Sequence, residues 1–287
     1  MQICFLILLF VLGACLGSFL CCQARRLHLR TTPKSSAKTK TKSVHLGARS
    51  VCLSCGYQLK WYDNLPIISW LILKGKCRQC GHKIGLAEIL SELGVGLAFL
   101  ALGFGAQLNG ITIESTCINP TEFITFVSAL IFTTLLAFLA VYDGIYGQLP
   151  TIFLTFSIIC AIIIATLREW ASLSVVADFW PSLSHDLLNL LFAMLILGGL
   201  YLLLCQVSRG KWVGNGDWLL GTAIAIALGT PWLALIALFF ANFLACIVML
   251  PVAKQRHHHK IHFGPFMVIA FGIAFAFSSF FNSMISI

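Results

Sequence analysis

Two acids in this chain stand where an acid is costly to bury. Asp143 lies in AVYDGIYGQLP and Asp217 in VGNGDWLLG, each beside a long apolar run. Ionisable residues in or at the ends of such runs are functional candidates. Neither has a Lys or Arg at helical spacing that would explain it as an ion pair. Two carboxylates held close together cannot both ionise cheaply, so they share a proton. The ionised one can take a proton from water while the protonated one donates to a carbonyl, which is the chemistry of peptide hydrolysis. Gly214 and Gly216, just before Asp217, let a substrate backbone come close. Helix N-capping by Asp217 is the alternative these residues leave open.

A second constellation is VCLSCGYQLKWYDNLPIISWLILKGKCRQCGHKI, residues 51–84. It holds two Cys-x-x-Cys pairs, Cys52/Cys55 and Cys77/Cys80, each followed by a glycine, Gly56 or Gly81. Four thiolates around one Zn2+ make a closed, structural site with no position left for a substrate. Disulfides are the competing use, disfavoured in a reducing compartment. Between the pairs, Asp63-Asn64-Leu65-Pro66 is turn chemistry. The apolar run Ile67–Leu73 is too short to span and either lies at the membrane interface or packs on the helices. The other eight of the 12 cysteines lie in apolar or boundary sequence, where Cys packs as a small hydrophobe. His257, His258 and His259 could attract a metal, but a basic boundary after a span is the plainer reading.

The elements that must position these residues are membrane helices. The sequence is 59% hydrophobic, 10% charged, with a mean hydropathy of +0.93. That is an all-α polytopic membrane protein. Apolar runs near the ~20 residues a span needs predict about eight transmembrane helices, at 3–22, 87–107, 122–141, 150–167, 187–205, 217–229, 231–250 and 264–285. The chain thus divides into a first helix (1–22), a basic loop with the four-cysteine module (23–86) and a helical core (87–287).

Of the 19 Lys and Arg residues, all but Arg168 fall on one side of this arrangement. Basic loops stay cytoplasmic, so the N-terminus is expected outside, with the cysteine module and both aspartates at the cytoplasmic face. The net charge of +9 then reflects topology and attraction to anionic lipid headgroups, and calls for no nucleic acid. The tract Thr31–Ser43 is polar and basic without apolar periodicity and reads as a flexible surface segment. Leu12-Gly13-Ala14-Cys15 resembles a lipoprotein cleavage box, but no basic residue precedes the apolar run. Gly13 and Gly17 read instead as a small-xxx-small packing face.

The motifs together resemble those of the prepilin peptidases, membrane aspartic proteases of the G-x-G-D type. The resemblance is carried by Gly17-Ser18-Phe19-Leu20, by YDNLPIISWLILKGKCRQCGHKI, by Asp143 with Leu149-Pro150, by Gly214-Asn215-Gly216-Asp217, and by Lys260-Ile261-His262-Phe263-Gly264-Pro265-Phe266. It implies that Asp143 and Asp217 are catalytic. It also implies an inner-membrane enzyme that cuts the leader from type IV prepilins and pseudopilins at the cytoplasmic face. Many such enzymes then methylate the new N-terminus with S-adenosylmethionine, and the four-cysteine loop accompanies that second activity. Glu88 fits the family's acidic position at the start of the second span, where it could hold the substrate amine or the methyl donor; capping or a buried pair would explain it as well. Departures are Cys21-Cys22-Gln23 after the first motif, Leu53 in the first knuckle, Leu219 after Asp217, and His262.

Two other classes are compatible with acids in a membrane bundle. One is a proton-coupled transporter relaying protons through Asp143 and Asp217. The other is a catalytically degenerate scaffold for pilus assembly. Neither explains as much, since a transporter leaves the cysteine module without a task.

Overall fold

The computed structural model describes residues 2–31, 50–52, 54–108, 120–173, 179–210, 213–253 and 262–278. His257–His259, Lys260 and Ile261, and nearly all of the Thr31–Ser43 tract, lie outside them. The helices are α1 (Gln2–Thr31), α2 (Ile68–Ile72), α3 (Leu86–Leu108), α4 (Pro120–Tyr146), α5 (Thr151–Leu173), α6 (Phe179–Met194), α7 (Leu200–Ser208), α8 (Asp217–Leu228), α9 (Pro231–Ala253) and α10 (Gly264–Ala276). A π-helical turn, Leu195–Gly199, joins α6 to α7 into one span.

Seven predicted spans fall on helices, and the eighth does so as far as Ala276, residues 279–285 lying outside the described ones. Six are long and apolar enough to cross a membrane, while α8 and α10 are shorter apolar helices. The first helix continues past its apolar run to Thr31 and so carries Arg25 and Arg26. In lipid, a helix satisfies its own backbone, which is why apolar runs of this length fold this way.

Small residues set the closest contacts. A Cβ on Gly13 would lie 2.7 Å from the Val95 carbonyl oxygen, and one on Gly17 would lie 2.5 Å from that of Ser91. The pair is therefore the face on which α1 meets α3, as its spacing predicted. Around α8 the same device recurs. A Cβ on Gly221 would lie 3.0 Å from the Leu197 oxygen, in the π-helical turn. Leu220, Ala223, Ile224 and Ala225 are wholly buried, so α8 is the centre of the larger apolar core.

With 12 residues, α8 is about 18 Å long, against a hydrocarbon thickness of ~30 Å. Its last carbonyls therefore need partners inside the bundle. Arg168, the basic residue that stood apart in the charge count, supplies them. Its guanidinium donates to the carbonyls of Leu228 (3.1 Å) and Ala227 (3.4 Å), both on buried residues. Gly229 (φ +73°) leaves room, since a Cβ there would lie 1.8 Å from the guanidinium. Each orphaned buried carbonyl costs about 1–3 kcal/mol. Arg168→Ala is expected to lower the melting temperature in detergent, and Arg168→Lys to recover part of the loss.

Candidate active site

Three helix ends meet around the two aspartates. Asp143 lies in the last turn of α4, Asp217 begins α8, and Gly264 begins α10. Asp143 is buried, and its Oδ2 accepts the Gly264 N–H at 2.9 Å. Asp217 is equally buried, and its Oδ2 accepts the Gly214 N–H at 2.8 Å. The two carboxylates are near enough for the charge of Asp143 to act at Asp217. The two aspartates are thus brought to one end of the bundle by sequence-distant helices.

Asp217 is the first helical residue of α8, and Gly216 is the cap. Its carboxylate turns back to the preceding loop, so capping of the helix's own amides is not its use. That loop is held tightly. A Cβ on Gly216 would lie 2.7 Å from the Leu149 side chain, and one on Gly214 would lie 3.2 Å from the Asp217 carboxylate. Leu149-Pro150 follows Asp143 closely, so the two aspartate segments pack on each other through Gly216. The Asn215 side chain is tethered by the Cys205 thiol, which donates to Oδ1 at 3.0 Å.

Sequence reasoning did not single out Tyr201, and it noted His262 only as a departure within a motif. Tyr201 is fully buried within reach of the Asp217 charge, accepts from Asn242 Nδ2 at 3.4 Å, and packs on the Phe263 ring at 5.4 Å. His262 lies close enough to Asp143 to act on it electrostatically and sits over Gly147 (φ +65°). His262 could have been found from its place in the Lys260–Phe266 motif, whereas Tyr201 lies 13 residues before Gly214 and carries no sequence signal.

The four cysteines form a separate cluster in which all four Sγ atoms lie within 4.8 Å of one another. Two equivalent knuckles present them. Cys52 N–H donates to the Tyr57 carbonyl and Gly56 N–H to that of Cys52; Cys77 N–H donates to His82 and Gly81 N–H to Cys77. Gly56 (φ +74°) and Gly81 (φ +67°) take the left-handed conformation that each knuckle needs. Cys52 Sγ and Cys80 Sγ are 3.9 Å apart, far beyond a disulfide's ~2.05 Å. They match the ~3.8 Å edge of a tetrahedron with metal–sulfur bonds of ~2.3 Å. The amides of Cys80 and Gln79 pull the Cys77 thiol down to about 7 from its ordinary 9.0, while the neighbouring thiols push Cys55 up to about 11, so four thiolates coexist here only around a cation. The cluster can hold a metal ion.

Glu88 pairs through Oε1 with Arg25 Nη2 on α1. Its Oε2 is buried and has no hydrogen-bond partner among the described residues. Glu92, one turn on, is buried and accepts the Ile67 N–H at 2.7 Å, tying the cysteine module to α3.

Residues 11–105, from α1 through the module into α3, match the family model described as the bacterial peptidase A24 N-terminal domain. A prepilin leader peptidase/N-methyltransferase of Dichelobacter nodosus is 28% identical over 240 residues, covering 80% of this chain and 71% of that protein. Over most of its length the chain is similar to prepilin leader peptidases. A second relative, from Bacillus subtilis and named the same way, is 28% identical over 82% of this chain and 77% of its own length. A third, from Myxococcus xanthus, is 41% identical over 97 residues, but that stretch is 34% of this chain and only 25% of that protein. The matched stretches thus range from a quarter to about three quarters of these relatives. No solved structure matches the chain.

Proposed function

We propose that this protein is a membrane aspartic endopeptidase that removes the leader from type IV prepilins or pseudopilins at the cytoplasmic face of the inner membrane. The observation that carries the reading is the meeting of Asp143 and Asp217 at one end of the bundle, each on a helix end and each given one backbone N–H. One carboxylate takes a proton from the attacking water. The other donates its proton to the scissile carbonyl; as the C–N bond of the resulting gem-diol breaks, it takes a proton back from a diol hydroxyl while the first passes the water-derived proton to the leaving amine. The substrate backbone enters beside Gly214 and Gly216. The relatives named as leader peptidases supply the substrate class. The decisive experiment is cleavage of a prepilin by the purified chain in detergent or liposomes; absence of cleavage by folded protein overturns the reading.

The four-cysteine cluster in this reading holds one structural Zn2+. Metal binding would fix a loop too small to build its own core. Elemental analysis is expected to give one zinc per chain, lost when Cys52, Cys55, Cys77 and Cys80 are all replaced by Ser. The helices should stay folded, because their backbone bonds close within each span. Zinc content unchanged by the replacement would exclude these ligands.

The same relatives are named N-methyltransferases, and we extend that activity to this chain. S-adenosylmethionine would supply the methyl group. The chain's own contribution is Glu88. Arg25 fixes one of its oxygens, while the other has no partner and can accept a hydrogen from the new N-terminal amine. Methyl transfer needs that amine neutral, so a carboxylate that positions it and then accepts a proton assists the step. Glu88→Gln is expected to reduce methylation far more than cleavage, as read by mass spectrometry of the product N-terminus. Full methylation by this variant would remove the role.

A further inference from the structure

The short helix α2 sits deeper than its place in a polar loop suggests. Ile67, just before it, bonds through its N–H to Glu92 at 2.7 Å. Glu92 follows Leu86, the first residue of α3, by six positions, about 9 Å along the axis. Leu86 and Leu90 are already 65% and 64% exposed, as lipid-facing residues of a span are. The headgroup layer is only about 5–8 Å thick on each side. The start of α2 therefore lies near the inner edge of that layer.

The chain enters α2 through a strained turn. Ile67 has φ 63° and ψ −51°, and the Ile68 N–H donates to the Pro66 carbonyl. This is the γ-turn of the rare hand, unfavourable for a β-branched residue. Such a turn persists only where its surroundings over-determine it, and Glu92 does so here.

What α2 then presents is apolar. Ile68, Leu71 and Ile72 are 54%, 59% and 69% exposed, at the spacing that shares one helix face. Trp70 points elsewhere, its ring lying against Gly75, where a Cβ would meet it at 2.9 Å. Around the module, Lys60, Lys74, Lys76 and Lys83 are all exposed.

We propose that the face formed by Ile68, Leu71 and Ile72 is a lipid-docking surface. It inserts α2 into the adjacent leaflet, and the surrounding lysines engage anionic phospholipid headgroups. Depth, apolar stripe and basic rim point to the same occupant. The cysteine module is thereby held flat on the membrane instead of hanging from it by α1 and α3. This inference rests on the membrane placement of the helices and not on the proposed reaction.

The test places a benzophenone amino acid at Leu71 in the full chain, reconstituted in phosphatidylcholine vesicles with or without phosphatidylglycerol. Lipid adducts are expected by mass spectrometry, with a probe at lipid-facing Leu90 as the positive control. Adduct yield at position 71 should fall about fivefold in purely neutral vesicles. It should also fall in Glu92→Ala and persist in Glu92→Gln, which keeps an acceptor for Ile67. If position 90 yields lipid adducts and position 71 yields none, or yields only cross-links to protein, the docking surface is wrong. Equal yields in neutral and anionic vesicles would overturn the headgroup assignment.

Discussion

Replacing either aspartate by asparagine is expected to abolish leader cleavage while leaving the protein folded. Asn keeps the shape of Asp and an Oδ1 acceptor. In Asp143→Asn the Gly264 N–H keeps a partner, and in Asp217→Asn the Gly214 N–H does. What is lost is the ability to carry a proton. An amide can neither accept one from water nor deliver one to a leaving amine, so the loss should reach about 10²–10⁴-fold in each variant. The double variant should be little worse than either single one, because the two groups act as a unit. Cleavage of a prepilin by purified protein, with melting temperatures alongside, provides the measurement. More than a few per cent of activity in either single variant would end the shared-proton reading. A transporter relaying protons through the same residues would show no cleavage to lose.

Much of this site was legible before any coordinates. Asp143 and Asp217 stood out because an acid beside an apolar run has few structural uses. Counting the apolar runs returned both to one face, and the basic residues said which side that face is expected on. The cysteine knuckles were legible because Cys-x-x-Cys followed by glycine fixes a local geometry within one short segment. The partners that lie far away in the chain were not legible. Nothing about Gly264 in isolation says that its N–H serves Asp143, because α4 and α10 meet only after the bundle has formed. Arg168 looked like a stray charge until the shortness of α8 exposed two carbonyls in need of a donor. Glu92 was invisible for a similar reason: its partner is a strained backbone amide in the loop before it. Apolar runs locate spans, but the ends of spans are set by polar contacts between them, and α1 illustrates this by running on as far as Thr31.

Two glycines of the same helix should separate catalytic geometry from helix stability. Gly264 begins α10 against the dyad, and Gly272 lies two turns further along. A Cβ on Gly264 would lie 2.9 Å from Asp143 Oδ2, 3.2 Å from its Cβ and 3.3 Å from its Cγ. No Cβ fits at the first distance without displacing the carboxylate or the start of α10. Either movement lengthens the Gly264–Asp143 hydrogen bond that orients the acid. A displacement near 1 Å can cost about 10²-fold in rate, so Gly264→Ala should lose roughly that much cleavage. Gly272 has nothing within 4 Å of its Cβ position. Gly272→Ala should leave cleavage intact and stabilise α10 slightly, by up to about 1 kcal/mol. The pair controls for helix propensity, since both changes favour the helix and only one meets the dyad. Cleavage assays and thermal melts of the two variants, made in the same detergent, would distinguish them. Wild-type cleavage by Gly264→Ala would mean that Asp143 does not work from the position in which Gly264 holds it.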